Sequence, residues 1–577
     1  MKIIFLILIL LTSAQAETII VSAERFDRPL IESTGSVQYI GREEIERSGS
    51  TNLGDLLKAK AGITTVNNGS FGKSGSLFIR GTDSRHALII IDGVVLNDPT
   101  SIAGEPRFEY IALSDIESVE VLKGSQSALY GQQAIGGVIK IRTVKSTQPR
   151  SQLHLSGGNF GQKVVGFNTT GAKDHFQYSL SGEHQEASGI SAAASSAAIQ
   201  EKDPYSLQTI GVALQYQTKN FGDLKASTRQ IKGSSDFDNQ PSDDAQYSHY
   251  TQSIWSLGHV KEWSELKWNT QYQFTDVVRD STGNYHYQAE QKKIESNLDY
   301  KIVGLGAAYQ KDKANVLDSI LTSQKLLETK SLFARVAPHW EIIGFDLAAR
   351  YENYNLFEDE WSYRAGLNLQ LISNLHLKSS YSTGTKSPGL YQLFGQYGNL
   401  QLKPEHSHSK DVGLVWDYST QWLELNYFEV DYQNYINFGT SRYENVSGAE
   451  IKGVEFIAKK SWSQFDGQFS FTQLSTRDHS TNRQLIRRPK QQAQLMGTFY
   501  LNDQLDLNSE VTYLGRRDDV GGNSPSYLIA SLGSKFQFET DKYVGVNIKN
   551  LLDHDYQEIK GYQSVGRNFT LNFGMKW

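Results

Sequence analysis

The residue with the clearest chemical demand is an arginine at the end of an apolar strand. Residues 77–80, LFIR, predict a short strand that closes on Arg80, and two further apolar runs joined by Asp92 and Gly93 predict a hairpin close behind it. An unpaired charge buried in such a strand would cost on the order of several kcal/mol. Arg80 therefore predicts a carboxylate partner elsewhere in the chain.

Catalytic chemistry finds little support among the motifs. Residues 67–74, NNGSFGKS, come near a phosphate-binding loop, but Asn67 replaces its first glycine and a strand, not a helix, follows Ser74. The sequence holds no His-Glu-x-x-His zinc motif and no Gly-x-Ser-x-Gly nucleophile elbow, and its 13 histidines are scattered. We therefore expect a protein that is not an enzyme and has no catalytic cofactor.

The N-terminus predicts export. An apolar run at residues 3–11 is followed by the small residues Ala14 and Ala16, which fits a secretory signal peptide at residues 1–16 and Sec-type export. No later stretch approaches the roughly 18 apolar residues of a spanning helix, so a membrane-embedded form would have to be a β-barrel. The chain has no cysteine, which excludes a disulfide scaffold, and its net charge of −6 argues against nucleic acid as a partner.

Two patterns divide the mature chain. In residues 37–145 short strands alternate with short helices, one of which has Thr51 as its predicted N-cap and a predicted stop at Gly62. From residue 150 to the end of the chain, apolar and polar residues alternate with period two, most clearly in residues 568–577, NFTLNFGMKW. Soluble β-sandwich strands share this alternation, but its extent and its many Tyr and Phe residues favour a membrane barrel.

The length of the alternating region sets the size of that barrel. If each strand with its connection takes roughly 20 residues, the region holds about 21 strands, close to the 22 of plugged outer-membrane transporters. A barrel that wide would leak, so a folded domain ahead of it makes physical sense as a plug. The sequence thus predicts a transmembrane β-barrel of about 22 antiparallel strands with an N-terminal α+β plug domain inside the lumen.

Three stretches of the chain resemble the TonB-dependent outer-membrane receptors. They are SGSLFIRGTDSRHALIIIDGVVLN at residues 74–97, KGSQSALYG at residues 123–131 and IGGVI at residues 135–139. The C-terminal aromatic residue also resembles the assembly signal of bacterial outer-membrane barrels. The resemblance covers nearly the whole chain and implies a signal peptide at residues 1–16, a TonB box at 17–23, a plug domain at 24–147 and a barrel at 148–577.

The resemblance implies roles for two sets of residues. One segment looks like the TonB box, although it could be an ordinary first strand of the plug: Glu17, Thr18, Ile19, Ile20, Val21, Ser22 and Ala23. In the family two plug cations meet two barrel carboxylates. Arg80 and Lys123 match the cations, and Glu455 and Glu510 are the candidate carboxylates, although either could simply be a polar residue facing the lumen. Lysine lacks the bidentate fork of arginine, so we expect weaker pairing at Lys123.

Within the family the chain is most similar to the cobalamin receptors. The similarity lies at residues 381–388, 390–394, 397–399, 403–405, 487–489, 550–553 and 561–567, although several of these motifs recur in siderophore and haem receptors. It implies cobalamin contacts from the plug apices, with the candidates Asn68, Lys73, Ser74, Asn97, Asp98 and Ser101. Lys73 and Ser74 depart from the residues usual there, and an apical lysine could suit an anionic siderophore or point to water.

Two acidic loops are similar to the early extracellular loops with which cobalamin receptors bind calcium. The candidate ligands are Glu201, Asp203, Asp236, Asp238, Asp243 and Asp244. Clustered carboxylates suit calcium, which would order the loops over a ligand. Ser191 stands where those receptors have an aspartate, and acidic loops are also common as plain solvated surface, so both interpretations stay open.

The resemblance implies active import of a scarce ligand, with cobalamin as the first expectation and a ferric siderophore as the alternative. TonB, with ExbB and ExbD in the inner membrane, would supply the energy. We expect a monomer of the bacterial outer membrane, in contact with outer-membrane lipid, that delivers to a periplasmic binding protein. The alternatives from other classes are an adhesin or barrel enzyme whose N-terminal domain is not a plug, and a soluble carbohydrate-binding sandwich.

Overall fold

The computed structural model describes residues 19–22, 24–25, 27–194, 201–239, 244–317 and 320–577. The predicted signal peptide lies outside the described residues, as do Glu17, Thr18, Ala23 and Asp243 of the predicted sites. Within the described ranges, no helix is both long enough and apolar enough to cross a membrane.

The N-terminal domain is a small α+β unit. Its elements are β1 (Ile20–Val21), β2 (Arg28–Pro29), β3 (Val37–Gly41), α1 (Arg42–Ser48), α2 (Leu53–Leu57), β4 (Ile63–Asn67), β5 (Gly75–Ile79), β6 (Ala87–Ile91), β7 (Val94–Val95), β8 (Ile116–Lys123), α3 (Ser127–Tyr130) and β9 (Gly137–Thr143), with 3₁₀ turns at Leu30–Glu32, Ser84–His86 and Phe108–Tyr110. Strands β3, β8, β9, β6 and β7 form one sheet in that order, while β1 pairs with β2 and β4 with β5.

The short helices of this domain differ in detail from the sequence prediction. Asn52, rather than Thr51, caps α2, because its side chain accepts a hydrogen bond from the backbone N–H of Asp55 at 3.0 Å. The helix ends at Leu57 instead of continuing towards Gly62, since the backbone of the next residue already leaves the helical region. The three leucines of α2, Leu53, Leu56 and Leu57, are buried in the core of the domain.

The predicted hairpin is present, and Arg80, earlier in the chain, has an unusual backbone conformation. Asp92 and Gly93 have φ angles of 48° and 90°, as a type I′ turn requires, and they connect β6 to β7. Strand β5 ends at Ile79, so Arg80 follows the strand instead of closing it. Arg80 has a φ of 52°, a left-handed conformation that is uncommon for arginine.

The rest of the chain forms a closed antiparallel barrel, with 22 strands in the described part of the chain, as predicted. The strands are β10 (Arg150–Gly158), β11 (Lys163–Lys173), β12 (Phe176–Ala187), β13 (Tyr205–Thr218), β14 (Gly222–Phe237), β15 (Gln246–Trp263), β16 (Leu266–Ser281), β17 (Tyr285–Tyr300), β18 (Val303–Leu317), β19 (Ile320–Val336) with its short continuation β20 (His339–Trp340), β21 (Ile343–Tyr354), β22 (Glu360–Ile372), β23 (Leu375–Lys386), β24 (Glu405–Tyr418), β25 (Gln421–Phe438), β26 (Tyr443–Ser461), β27 (Phe465–Asp478), β28 (Gln491–Tyr500), β29 (Leu505–Leu514), β32 (Tyr527–Glu539), β33 (Lys542–Lys549) and β34 (Asn568–Lys576). Helix α4 (Leu390–Phe394) and the hairpin of β30 (Arg517–Asp519) and β31 (Gly522–Ser524) lie in two of the connections.

Side chains of the barrel strands alternate between the outer surface and the lumen. In β34, Phe569 and Leu571 are 45% and 50% exposed on the outside, whereas Asn568 and Thr570 are buried on the inside. The same strand closes the barrel by pairing with β10. This alternation is the pattern of a barrel with an apolar outer surface and a polar interior.

The two ends of the barrel differ in the length of their connections. Short turns such as residues 174–175 and 264–265 lie at one end, where the C-terminus also lies, and longer loops such as residues 387–404 and 550–567 lie at the other. We call these the short-turn end and the long-loop end. In outer-membrane barrels the short turns face the periplasm and the longer loops face the outside.

The N-terminal domain fills the lumen as a plug, which confirms the predicted architecture. Gln273 of the barrel wall binds both the N–H and the C=O of Val95, at 3.1 and 2.9 Å. Gln492, on the opposite wall, donates to the carbonyls of Lys60 and Ile63, both at 2.9 Å. Polar side chains of the barrel therefore satisfy backbone groups of the plug.

Candidate functional site

Inside the lumen, a cluster of four charged side chains joins the plug to the barrel wall. Arg80 donates from Nε and Nη2 to the two oxygens of Glu455, both at 3.0 Å, and from Nη1 to Asp411. Lys123 Nζ donates to Glu455 Oε2 at 3.1 Å. All four side chains are at most 8% exposed. Two cations thus face two carboxylates, so the buried cluster is balanced in charge.

The plug backbone approaches this cluster closely. A Cβ at Gly62, which has a φ of 68°, would lie 1.8 Å from Glu455 Oε1, so only glycine leaves room for the carboxylate. The guanidinium of Arg80 also lies over the ring of Phe428, 4.4 Å from its centroid. The cluster is therefore fixed by contacts on the plug side and on the barrel side.

The structure assigns the second carboxylate to Asp411 rather than to Glu510. Glu510 accepts hydrogen bonds from Gln494 and Thr512, each at 3.0 Å, and is three strands away from Glu455. Asp411 reaches the cluster because its strand, β24, is separated from β26 only by β25. Sequence alternation places all three carboxylates on the lumen side but does not show which strands bring them together.

At the short-turn end, the part of the predicted TonB box that the structure describes is docked on the plug. Ile20 and Val21 pair with Arg28–Pro29, and the backbone N–H of Ser22 donates to Glu120 Oε2 at 3.0 Å. Ile19 and Ile20 are 39% and 45% exposed. The buried side chain of Val21 and the hydroxyl of Ser22, which accepts from Lys140 and Arg142, also hold the segment. Ile19 and Ile20 stay uncovered, as the side chains of a segment that pairs with a partner strand could.

Glu24 and Arg25, which follow this segment in the described part of the chain, attach it to the barrel. Arg25 donates to Glu295 at 2.6 Å and lies between the rings of Tyr130 and Phe333, at 4.6 and 5.1 Å from their centroids. Glu24 is 1% exposed and accepts from the guanidinium of a barrel arginine, Arg364, at 3.0 Å. The N-terminal segment is therefore held to the barrel wall as well as to the plug.

The charge environment keeps the Glu24 carboxylate ionised. Burial alone would raise the pKa of Glu24, but the guanidinium groups of Arg28, Arg364 and Arg335 outweigh burial and hold the pKa at about 2. This anchor persists across the physiological pH range.

A cavity of about 550 Å³ borders the docked segment. Ser22 and Arg25 line it on one side, the plug strands β6 and β7 on another, and strands β16 to β19 of the barrel on a third. Movement of residues 19–25 would enlarge this cavity between the plug and the barrel wall.

At the long-loop end, Lys73 of the plug is bound to the barrel. Its Nζ donates to the carbonyls of Asp203 and Pro204, at 2.9 and 3.3 Å, and to Ser235 Oγ at 3.3 Å. The side chain is 1% exposed. Burial lowers the pKa of Lys73 to about 8, although the nearby aspartates partly oppose this shift. Lys73 thus attaches the loop before β13 to the plug apex.

The other predicted ligand residues of the plug differ in their exposure. Asn97 accepts from the N–H of Ile89 at 3.0 Å, while Asp98 accepts from Thr100 and the hydroxyl of Ser101 donates to the carbonyl of Asp98. All three predicted side chains in this loop are buried and hold its conformation. Asn68 is half-buried and Ser74 is exposed. A role for these residues in ligand binding stays a prediction.

Three of the predicted metal ligands form one cluster at the long-loop end. Carboxylate oxygens of Glu201, Asp203 and Asp238 all lie within 4.8 Å of one another. Asp203 and Asp238 also accept backbone N–H groups from Ala192 and Ala193, at 2.6 and 2.5 Å. Burial, together with the neighbouring carboxylates, raises the pKa of Asp203 to about 6. Hard oxygen donors from two loops therefore converge on one point.

Asp236 and Asp244 lie outside that cluster. Ser235 faces the lumen, where Lys73 binds it, so the alternation of β14 turns Asp236 to the outer surface. The carboxylate of Asp244 instead accepts from the N–H of Asn239 and the amide of Gln246, both at 2.9 Å.

An aromatic surface stands beside the plug apex, and the sequence analysis missed it. Rings of neighbouring loops and strands contact one another, with centroids 5.4 to 6.2 Å apart in the pairs Tyr287–Tyr391, Tyr391–Tyr443, Phe438–Tyr443 and Tyr397–Phe438. The plug reaches this surface through Ile102, whose carbonyl would lie 2.7 Å from a Cβ at Gly389 and whose side chain is 46% exposed. Two of these tyrosines lie in motifs that the sequence analysis names, residues 390–394 and 397–399, but the sequence does not show that these loops meet.

The buried charge cluster predicts a mutational effect. Arg80→Met leaves two carboxylates buried with one cation. We therefore expect the free energy that holds the plug in the barrel to fall by about 3–5 kcal/mol. The measurement is the urea concentration at which the purified receptor starts to conduct ions in a planar bilayer. Adding Asp411→Asn should recover much of the loss, and Lys145→Gln, an exposed lysine of the plug, serves as the control. A double variant that is no better than Arg80→Met would contradict this interpretation.

The contact between Arg25 and the barrel predicts a second effect. Arg25→Gln removes the charge that binds Glu295, so the N-terminal segment should leave the plug more often. A spin label can be attached at Ile20→Cys, because the chain has no other cysteine. If the substitution at Arg25 removes about 1.4 kcal/mol of binding free energy, the mobile fraction of the label should rise on the order of tenfold. An unchanged spectrum would show that the contacts of residues 20–22 and of Glu24 hold the segment without Arg25.

Comparisons with known proteins agree with this geometry. Residues 150–551 match the family described as "TonB dependent receptor-like, beta-barrel", and residues 29–138 match the "TonB-dependent Receptor Plug Domain". The vitamin B12 transporter BtuB of Vibrio cholerae is 25% identical over 591 aligned positions, which cover 97% of this chain and 95% of the relative.

Solved structures share the fold at lower identity. The siderophore receptor PirA from Acinetobacter baumannii is 19% identical with a TM-score of 0.81, over 95% of this chain and 99% of that one. A mutant ferric enterobactin receptor, PfeA from Pseudomonas aeruginosa in complex with enterobactin, is 18% identical with a TM-score of 0.82, over 95% and 100%. From its barrel, its plug and these matches, the chain belongs to the TonB-dependent receptors, a family of transport receptors of the outer-membrane type.

Proposed function

We propose that this receptor imports cobalamin across the outer membrane by TonB-dependent transport. The observation that carries the proposal is the match to a vitamin B12 transporter, which runs through plug and barrel alike and covers 97% of this chain. The siderophore receptors share the architecture at 18% and 19% identity, which supports the fold and not the cargo.

Two cations of the plug apex are already engaged within the protein, which supports a neutral ligand. Lys73 is bound by loop carbonyls, and Arg107 pairs with Asp98 and Glu109, each at 3.4 Å. The plug loop instead exposes the apolar side chain of Ile102 beside the aromatic surface. An apolar and aromatic wall suits a large organic ring system better than it suits an anionic iron chelate.

Transport requires that ligand binding change the short-turn end. We infer that a bound ligand biases the plug towards a state in which Arg25 no longer holds Glu295, so that residues 17–23 become available to TonB. TonB, with ExbB and ExbD in the inner membrane, then supplies the energy that moves the plug. The cavity beside Ser22 would widen as the segment leaves, and a periplasmic binding protein would take the ligand onward. The receptor would work as a monomer after Sec-type export.

Calcium fits the carboxylate cluster as part of this proposal. Glu201, Asp203 and Asp238 would hold the ion, because carboxylate oxygens are the donors that calcium prefers. When bound, the ion would supply electrostatic ordering of two loops. Lys73 restrains the same loop through its backbone carbonyls and leaves the carboxylates available.

A ferric siderophore is the second candidate cargo. Solved relatives with the same fold are siderophore receptors, one of them in complex with enterobactin. Lys73 would present a cation to such a ligand if the loop at residues 201–204 lifted from the plug apex. Binding measurements distinguish the two cargoes.

The first test is equilibrium binding of cyanocobalamin to the purified receptor, with calcium and with a chelator. We expect binding in both conditions, and calcium should tighten it by about tenfold, a usual size for coupling between two sites. The double variant Asp203→Asn, Asp238→Asn should remove the calcium effect. Asp236→Asn is the matched control, because it removes a negative charge near the cluster without removing one of its three members.

Two results would contradict the proposal. Absence of cyanocobalamin binding in both conditions would exclude cobalamin as cargo, and saturable binding of a ferric siderophore would then favour the second candidate. A calcium effect that survives in the double variant would exclude the carboxylate cluster as its source.

The second test removes the predicted TonB box. Deletion of residues 17–23 should abolish energy-dependent uptake, because TonB loses its attachment, while ligand binding at the cell surface stays unchanged. Uptake of labelled cyanocobalamin and binding to whole cells are measured side by side in strains with and without TonB. Uptake that persists after the deletion would refute the assignment of the box.

A further inference from the structure

The loop between β33 and β34 turns inward at the long-loop end and meets the plug. We call its middle part, residues 556–563, the strap. Glu558 of the strap is 3% exposed, and its Oε2 accepts the backbone N–H of Asn67 at 2.9 Å. Its Oε1 accepts from the Nζ of Lys58. A loop of the barrel is thus joined to the plug through one buried carboxylate.

The contact between the strap and the plug is an ion pair with apolar surroundings. Burial alone would lower the pKa of Lys58, but the carboxylate of Glu558 outweighs burial and raises this pKa well above its usual value. The ring of Tyr556 lies beside the ammonium group, with its centroid 5.5 Å from Nζ. Ile559 is 2% exposed and packs in one cluster with Val66 of the plug. The pair is therefore charged and held in one arrangement.

A barrel hairpin fixes the backbone of the strap. Arg517 of β30 is 1% exposed and donates to the carbonyl of Glu558, from Nε at 3.2 Å and from Nη2 at 2.8 Å. Asp519, also of β30, accepts the N–H of Lys560 at 2.8 Å. The strap is therefore bound both by the hairpin of β30 and β31 and by the plug.

The last residues of the strap pair with residues 192–194 of the loop that follows β12. The N–H of Gln563 donates to the carbonyl of Ala192, and the N–H of Ala194 donates to the carbonyl of Gly561, both at 2.8 Å. An antiparallel bridge lies between these two hydrogen bonds. The conformation of residues 192–194 therefore depends on the position of the strap.

The same segment contacts two members of the carboxylate cluster. The N–H groups of Ala192 and Ala193 donate to Asp203 and Asp238, at 2.6 and 2.5 Å. Residues 192–194 thus bind the strap and the cluster at once, and they link the strap to the candidate calcium ligands.

A second set of contacts joins this region to the plug apex. Lys73 binds backbone carbonyls of the loop before β13, and a Cβ at Gly69 would lie 2.7 Å from the Cβ of Ala192. Both plug residues belong to the loop between β4 and β5. Glu558 instead reaches the end of α2, through Lys58, and the end of β4. The strap therefore responds to a different part of the plug.

We propose that Glu558 is a positioning residue that couples the plug to the carboxylate cluster. While Glu558 holds the plug, the strap keeps residues 192–194 in place, and their N–H groups fix the cluster for a cation. Displacement of plug residues 58–67 would withdraw Glu558, free the strap and weaken cation binding. Because coupling is reciprocal, a bound cation would in turn favour the seated plug. This coupling builds on the calcium binding proposed above and does not depend on which cargo is imported.

The first test is calcium titration of the full-length receptor in detergent, without cargo, read by isothermal titration calorimetry. Glu558→Gln should weaken calcium binding about tenfold, a usual size for coupling between two sites, although Glu558 is not a member of the cluster. Glu510→Gln is the matched control, because it removes the same charge from a carboxylate that binds Gln494 and Thr512 of the barrel wall. This control variant should bind calcium like wild type.

Substitution of Lys58 separates the coupling from simple electrostatics. Lys58→Met removes a positive charge, so Coulomb attraction alone would tighten calcium binding. The coupling predicts the opposite, a loss of about tenfold, because Glu558 loses its partner. Lys58→Arg keeps the charge and should keep most of the affinity. The double variant Lys58→Met, Glu558→Gln should lose about tenfold rather than about a hundredfold, since both substitutions break the same contact.

Hydrogen exchange tests the link without any metal. The N–H groups of Gln563 and Ala194 join the strap to residues 192–194, and their exchange reports whether these hydrogen bonds open. In the calcium-free receptor, peptides that contain Gln563 or Ala194 should exchange faster in Glu558→Gln than in wild type. The same peptides should exchange at the wild-type rate in Glu510→Gln.

Three results would overturn the proposal. They are calcium binding by Lys58→Met that is unchanged or tighter, losses in the two single variants that multiply in the double variant, and unchanged exchange of the strap amides in Glu558→Gln. A normal heat-modifiable shift on gels is the check that each variant folds. A wild-type receptor that binds no calcium would overturn both the coupling and the calcium site. Cyanocobalamin binding is measured separately, so loss of the cobalamin assignment would leave the coupling intact.

Discussion

A barrel this wide encloses a lumen that solutes could cross, so the molecule depends on filling that lumen with a domain that can also move. The plug has its own apolar core, yet it meets the wall through hydrogen bonds such as those of Gln273 and Gln492 and through the cluster around Glu455. Hydrogen bonds and buried ion pairs contribute little net free energy relative to the same groups in water. A polar interface therefore closes the barrel and still permits the plug to move.

The two ends of the plug are fixed by different chemistry, and this difference gives the molecule a direction. At the long-loop end, Lys73 binds backbone carbonyls of a loop, beside carboxylates that could hold calcium. At the short-turn end, a short strand pair and the contact of Arg25 with Glu295 hold the N-terminal segment. The contacts that secure each end are local to it, so a change in binding free energy at one end can alter the population of a released state at the other.

The fold could be predicted from the sequence because its signals are local and repeated. Alternation with period two predicted the barrel, and Asp92 and Gly93 predicted the hairpin of the plug. The site was predicted less completely because its contacts depend on register between distant strands. Asp411 could not be distinguished from Glu510 without knowing which strands are neighbours, and Asp236 could not be separated from Asp238 without knowing where β14 ends. The aromatic surface beside Ile102 likewise arises from loops that meet only in the folded chain.

The central claim is that import requires the plug to move relative to the barrel under force applied at the N-terminus. A disulfide between Thr34→Cys in the plug and Gly366→Cys in the wall tests this directly, because the two positions are in contact across the interface and the chain has no other cysteine. A local shift of about 1 Å would open the 2.7 Å between the two Cβ positions to disulfide geometry. Cyanocobalamin uptake by cells that carry the oxidised receptor should stop while surface binding persists, and reduction should restore it. Uptake at the same rate with the tether closed would contradict the account.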